Sequence, residues 1–466
     1  MDKILKSTLF ISLMGLSLNG SSLESLNKRI DSLEKQLIIL KSSQADSDDE
    51  LEERIDEVET SIIIDKIKFG LEFRTRVDNY NVKKINGDDK NYDNLWSNRV
   101  RLKMKSKISY NLKFTGRLTM YKNWSDSDID SYSNIDYIQA RRPNDSSIFL
   151  ERAYVDWVLT DGKVPVILTL GRQPSSDGPS HQFKDNTVRK STYSALSFDG
   201  VSDGLMTTFN LEKVSDVEGM AVRVGYAKGY QSSLSQNYTE SNNGLGDSNV
   251  YGIFFDTSLI ENGSLLQLSA VYADNIISNV PDDNKNIGDM LIYTAMVEFT
   301  NIYDSGLDIF THYAINQMKP NGQTSSYNGI NMDLLESSAS GETTVSTNNV
   351  NGSAYWLGMR YTIPNLSFNN PRIGIEYNHG DKNWFSFTQG SNDVTNKLAT
   401  RGDATEIYYI QPINRYAYLR FGVEMIDYDY TGSGFQLGSP TPISESIDPN
   451  EVDKLNNYYF LFNLSY

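Results

Sequence analysis

The sequence predicts an all-β fold: a closed antiparallel transmembrane β-barrel of about sixteen strands, preceded by a short α-helical coiled-coil segment. Three observations predict it. From about residue 66 to the last residue, strand-like alternation recurs with one apolar and one polar or ionic face. Short and long connections between these strands take turns along the chain. The final strand carries five apolar positions at period two: Tyr458, Phe460, Phe462, Leu464 and Tyr466.

The elements follow in order. "MDKILKSTLFISLMGLSLNGSS" places Lys3 and Lys6 before an apolar core from Leu9 to Leu18, with small and polar residues around Asn19 to Ser22. Residues 1–22 therefore read as a signal peptide for export. No cysteine follows it, which excludes a lipoprotein anchor. Leu23, Leu26, Ile30, Leu33, Leu37 and Leu40 are spaced 3-4-3-4-3, the a/d seam of a left-handed coiled coil. "SSQADSDDE" interrupts the seam, which resumes out of phase at Leu51, Ile55, Val58 and Ile62. Residues 23–65 are thus expected to be a periplasmic coiled-coil segment. A lone helix would expose its seam to water, so either a partner chain or an intrachain hairpin covers it.

The barrel is expected over 66–466. In "DKIKFGLEFRTRVDNY", Ile67, Phe69, Leu71, Phe73 and Val77 take one parity and Lys68, Glu72, Arg74 and Arg76 the other. Successive side chains of a strand point to opposite faces, so this strand is apolar on one side and ionic on the other. "NRVRLKMKSKI" opposes Val100, Leu102, Met104 and Ile108 to Arg99, Arg101, Lys103, Lys105 and Lys107. "LKFTGRLTMY" opposes Leu112, Phe114, Leu118 and Met120 to Lys113, Thr115 and Arg117. Lipid demands that every backbone group be paired, and a closed barrel does this with apolar side chains outward and ionic ones toward a water-filled lumen. Brief turns are expected near 109–111, 160–164, 212–219, 260–263, 300–305, 364–370 and 412–415. Long polar stretches fall near 79–97, 125–147, 172–193, 230–248, 274–288, 317–351, 380–403 and 429–455. Segregated loop lengths put short turns on one rim and long loops on the other, with both termini on the short-turn side.

Composition excludes several functions. Formal charge is −17, which argues against nucleic acid as a partner. With no Cys and three His (His181, His312, His379), thiol chemistry, Cys-ligated metals and a His-rich metal site are excluded, and no cofactor is called for. The three His lie apart without a nucleophile motif, so the chain reads as no enzyme. Mean hydropathy is −0.46, which alone suggests a soluble protein, but barrel strands are only half apolar and escape that test. The acidic stretches "SDSDIDSYSNID", "PDDNKN" and "SESIDPNEVD" read as solvated loop surface, with divalent cations bridging lipopolysaccharide as the competing role. Trp384 is expected at a membrane interface, and His379 as a hydrogen-bonded rim residue.

The region from Lys66 to Tyr466 resembles the general porins of Gram-negative bacteria. It is similar above all to a family of uncharacterised porin-like outer-membrane proteins with an N-terminal coiled coil. "NLKFTGRLTMYKNW" (111–124), "FLERAYVDW" (149–157), "LTLGRQPSSDGPSHQF" (168–183), "EYNHGDKNWFSFT" (376–388) and "IDYDYTGSG" (426–434) carry the likeness. The terminal Tyr458 to Tyr466 pattern resembles the signal by which the barrel assembly machinery recognises outer-membrane barrels. In general porins a "GRQ"-like end of the fifth strand precedes a loop that folds inward and narrows the lumen. Gly171-Arg172-Gln173 ends the fifth strand counted here, which implies a constriction loop over about 172–193.

The candidate site is a basic wall: Arg74, Arg76, Arg99, Arg101, Lys103, Lys105 and Arg117 share the charged parity of three successive strands, with Glu72 among them. Asp177 and Asp185 on the constriction loop are expected to face it. The wall reads either as a transverse field that selects ions or as a paired network fixing the loop. The resemblance implies a homotrimeric outer-membrane channel for passive diffusion of small hydrophilic solutes, in contact with lipid and lipopolysaccharide. The positive surplus adds a mild preference for anions. The alternative is a non-conducting surface anchor or receptor acting through its loops. The coiled coil is expected to tie protomers together or, a weaker expectation, to reach peptidoglycan.

Overall fold

A computed structural model of the protein describes residues 28–37, 67–124, 135–136, 148–231, 245–260, 263–278, 280, 283–327, 330–334, 336–338, 347–388 and 393–466. The chain divides into two compact units, Met1–Lys66 and Ile67–Tyr466. In the first, residues 28–37 form a helix that leaves Ile30, Leu33 and Leu37 exposed. The signal peptide and the rest of the coiled-coil segment lie outside the described residues. No helix among those described is long and apolar enough to cross a membrane.

The second unit is a closed barrel of sixteen antiparallel strands. Its first half contains β1 (Ile67–Lys84), β2 (Asp89–Lys107), β3 (Leu112–Asn123), β4 (Ile148–Thr160), β5 (Val166–Arg172), β6 (Asp203–Asn210), β7 (Ala221–Tyr230) and β8 (Ser248–Thr257). The second contains β9 (Ser264–Ile277), β10 (Asn286–Phe299), β11 (Leu307–Pro320), β15 (Val350–Thr362), β16 (Arg372–Gly380), β17 (Gly402–Pro412), β18 (Ala417–Tyr428) and β19 (Val452–Ser465). Between β11 and β15, three short strands, β12 (Ser325–Tyr327), β13 (Ile330–Asp333) and β14 (Glu336–Ser338), make a separate sheet. Neighbours in sequence pair throughout the barrel, and β19 closes it against β1, with Glu72 opposite Ser465.

Seven connections at one rim are short, and most at the other are long, as loop segregation predicts. The first hairpin differs. Instead of a loop over 79–97, β1 runs on to Lys84 and β2 starts at Asp89, paired from Tyr80↔Tyr92 to Lys83↔Asp89. The pairing register shifts after Asp78, yet β1 keeps its alternation, with Tyr80 and Val82 buried in an apolar cluster. Asn79, Asn81 and Lys83 on the other parity give the segment a loop's composition although its backbone is a ladder.

Side chains sort by parity. Phe69, Leu71, Ile253, Leu268, Ile375 and Phe421 point outward and are exposed, forming the apolar band. Tyr226, Tyr251 and Tyr272 stack around the long-loop end of that band. Tyr416 and Tyr466 meet at the other end, 5.7 Å apart. Two such aromatic girdles are what membrane interfaces favour. The terminal residues Tyr458, Phe460, Phe462, Leu464 and Tyr466 all take the outward parity.

Candidate functional site: an ionic wall and the segments packed on it

The pleat of β1 turns Glu72, Arg74 and Arg76 inward, and antiparallel register sets Arg101 opposite Glu72 and Arg99 opposite Arg74. On β3, Arg117 stands opposite Lys103. Like charges at directly opposed positions repel, so such a wall needs counter-charges. Glu72 supplies one, within 2.5 Å of Arg99 and 3.3 Å of both Arg101 and Lys103. Glu151 supplies another. A register shift between Arg117 and Leu118 lets β4 bury both Glu151 and Arg152 on this side, and Glu151 binds Arg117 at 2.8 Å and Arg101 at 3.3 Å.

The chain leaves β5 through Gly171, whose φ of +117° suits only glycine and where a side chain would run into the Ala153 carbonyl. Residues 173–202 then fold into the barrel around a one-turn helix, His181–Asp185. Asp177 lands on the wall, 2.7 Å from Arg117, 3.2 Å from Arg101, 3.3 Å from Arg152 and 2.9 Å from Lys190 of its own loop. Burial pushes the Asp177 carboxyl up, but these cations outweigh it and hold the group well below the usual range. Burial likewise pushes the Lys190 ammonium down, to about 8, with Asp177 opposing the shift. Asp185 pairs with Arg420 of β18 at 3.0 Å, and the charge of Arg99 on β2 also acts on its carboxyl.

A second segment folds inward, and nothing in its composition distinguished it from an external loop. Residues 381–388 and 393–401 lie beside the first loop, joined by Asp199 N–H donating to the Phe387 carbonyl (2.8 Å) and Phe387 N–H to that of Ser197 (3.0 Å). Its Asp393 bridges Arg76 of β1 (2.5 Å) and Lys184 of the first loop (2.6 Å). Its Lys397 binds Glu376 (2.6 Å) and Glu406 (2.5 Å), and Glu406 also receives Lys184 at 3.0 Å and the Tyr459 hydroxyl at 2.6 Å. Glu376, Glu406, Arg420 and Glu424 were not among the expected site residues. Their signal was present in part: Glu406 is the one charge on the inward parity of β17, while Glu376 shares that parity with Arg372 on β16, and Arg420 with Glu424 on β18.

Two expectations about the lumen need correction. On β11 and β15 the inward face is partly apolar: Phe310, Ala314, Ala354 and Trp356 pack with Phe183, Ala195, Leu196, Trp384 and Leu398 of the two inward segments, although Asp308, His312, Asn316 and Arg360 share that parity. Trp384 is therefore buried inside the barrel, its indole N–H donating to the Leu398 carbonyl (2.9 Å), not set at a membrane interface. The wall does not line open water either. Glu72, Arg74, Arg76, Arg99, Arg101 and Arg117 are each at most 6% exposed, covered by the segments paired to them. Lys103 and Lys105, nearer the short-turn rim, remain accessible. At the long-loop rim His379 Nδ1 meets Asp403 at 2.8 Å, and Tyr377 donates to the same carboxylate at 2.5 Å. With Asp429, His379 and Asp403 form a group of donor atoms within 4.8 Å of one another on the outward parity.

Residues 89–466 match the family model described as "Protein of unknown function (DUF3373)". The chain belongs to this family. Among solved structures, the DUF3373 barrel is similar to OprB of Pseudomonas putida, with a TM-score of 0.51 and 13% identity over 87% of this chain and 96% of that one. It is also similar to OmpF of Salmonella typhi in complex with daunomycin (TM-score 0.47, 13% identity, 86% of this chain and 98% of that one). A third is an anion-selective porin from Comamonas acidovorans (TM-score 0.46, 10% identity, 86% and 99%). No curated protein matches the chain. The likeness to OprB shows a shared porin-type fold, and this member of DUF3373 is a porin-like barrel.

Proposed function

We propose that this DUF3373 protein is an outer-membrane channel of Gram-negative bacteria for passive diffusion of small hydrophilic solutes or ions, with a mild preference for anions. The observation that carries the reading is the charge of the wall inside a closed sixteen-strand barrel. Arg99, Arg101, Lys103, Arg117, Arg152 and Lys190 outnumber Glu72, Glu151 and Asp177. A barrel of this strand number is wide enough for an aqueous path, and a charged wall in a low-dielectric tube focuses its field on passing ions. The chain sits among lipid and lipopolysaccharide, is inserted by the barrel assembly machinery through its Tyr458–Tyr466 pattern, and forms a homotrimer. Residues 1–22 direct export. The periplasmic segment 23–65 ties protomers together, and contact with peptidoglycan is its weaker role. No catalysis and no cofactor enter this reading.

A second reading, a non-conducting surface anchor or receptor acting through its loops, is favoured by the burial of the wall beneath two inward segments. Single-channel current in a planar bilayer, with reversal potential across a salt gradient, separates the two. A stable ohmic current reversing on the anion side supports the channel. A cation-side reversal removes the anion preference, and silence from correctly folded trimer leaves the anchor.

A further inference from the structure

The Arg wall is covered and paired from within, yet a second basic group is not. Below the wall, at the rim where residues 108–111 turn, the inward parity carries Lys68 on β1, Lys103, Lys105 and Lys107 on β2, and Lys113 on β3. Their sequence neighbours Phe69, Met104 and Phe114 face outward on the opposite parity. Register places Lys68 directly opposite Lys105, and Lys107 directly opposite Lys113. Opposed residues have Cβ atoms about 4.5–5.5 Å apart, where like charges destabilise the sheet. Elsewhere in this barrel that cost is cancelled by a carboxylate. Here Lys103 alone reaches one, Glu72. Asp156, in register with Lys113, accepts the Thr169 hydroxyl at 2.6 Å and forms no ion pair with that lysine, leaving its single charge against five cations. Among the described residues Lys68, Lys105, Lys107 and Lys113 have no ion pair, and all four are exposed.

We propose that these five lysines form an anion-binding mouth at the short-turn end of the lumen, and that its ligands are small oxyanions bearing two or more negative charges, such as phosphates. Uncancelled repulsion between facing lysines is relieved by a mobile anion in the way that Asp177 relieves Arg101 and Arg117. In water a single charge pair gains little, so a monovalent ion is held weakly and a multiply charged one gains several such terms. Lysine suits this task, being a flexible point charge that adapts to a tetrahedral oxyanion. The mouth, not the covered Arg wall, then sets which ions concentrate in the barrel. This deepens the channel reading and rests on it for transport, but binding stands apart.

Calorimetric titration of the folded protein in detergent with tripolyphosphate at low ionic strength tests the binding. The variant K68Q/K105Q/K107Q/K113Q is expected to lose affinity by about tenfold or more, equivalent to about 1.4 kcal/mol. A control at the opposite rim, K83Q/K84Q/K90Q/K382Q, removes the same charge and should bind as the unmodified chain does. Equal binding by the mouth variant, or equal loss in both variants, overturns the proposal. In bilayers the mouth variant should also shift reversal toward cations, and an unchanged reversal overturns it as well. If no folded protein carries current, the channel reading fails alone, and calorimetry still decides the mouth.

Discussion

The inward loop 173–202 meets two unlike walls. Against β1–β4 it presents Asp177 to Arg101, Arg117 and Arg152. Against β11 and β15 it presents Phe183, stacked on Phe310 at 5.5 Å, with Phe310 edge-on to Trp356 at 4.7 Å. Buried ion pairs contribute little net stability because desolvation offsets their attraction, but they are exacting about position. Apolar packing is tolerant of direction and contributes through area removed from water. The comparison assigns the two sides different work: the ionic wall sets where the loop lies, and the aromatic wall supplies most of its hold.

Four experiments sharpen or break that division. The largest effect is expected from Asp177→Asn, which strands three buried guanidinium groups and should destabilise the barrel by about 5 kcal/mol, the upper end for a broken buried pair. Denaturant titration in detergent measures it, and an unmoved midpoint would mean that Glu72 and Glu151 suffice. Trp356→Ala should cost about 3 kcal/mol in the same assay, as for a large aromatic removed from a core. A loss near zero would empty the aromatic wall of its assigned work. The double variant should deviate from additivity by about 0.5 kcal/mol or more if the loop is one rigid body touching both walls. Strict additivity would separate them.

The smallest effect concerns pH. Lys190 is depressed to about 8, so raising pH through that value removes one positive charge beside Asp177. Anion preference should then decline slightly between pH 7 and pH 9, and Lys190→Gln should abolish that dependence. A reversal potential flat across this interval would show that Lys190 does not face the ion path.

The barrel was legible because its evidence is periodic. Phe69 and Leu71 outside, and Glu72 and Arg74 inside, obey a rule of two that any strand facing two solvents must obey. The Arg wall was legible for the same reason. The aromatic wall was not, because Phe310, Ala314 and Trp356 break the polar-inside rule on a parity they share with Asp308, His312, Asn316 and Arg360, so neither period nor composition singles them out. The inward placement of 381–388 and 393–401 was not legible either. Asp393 and Lys397 sit in a polar stretch whose composition suits solvent, and only the distant partners Arg76 and Glu406 draw them inside. The pairing of Asp185 with Arg420 was not legible, because a single helical turn redirects the side chain by an angle that strand parity cannot express.

The seam between β1 and β19 has a consequence in time. Leu71 and Tyr466 exchange two backbone hydrogen bonds, of 3.1 and 2.8 Å, across nearly the whole length of the sheet-forming chain. Contacts so distant in sequence are slow to form, since the intervening chain must first be gathered. Until β19 arrives, β1 and the growing opposite edge each offer a row of unpaired amides and carbonyls, the surface on which strands of other molecules add. Every shortened form of this barrel is therefore an open ribbon, recognisable to a protease or a chaperone by its edges. Completion is a single event that removes both edges at once.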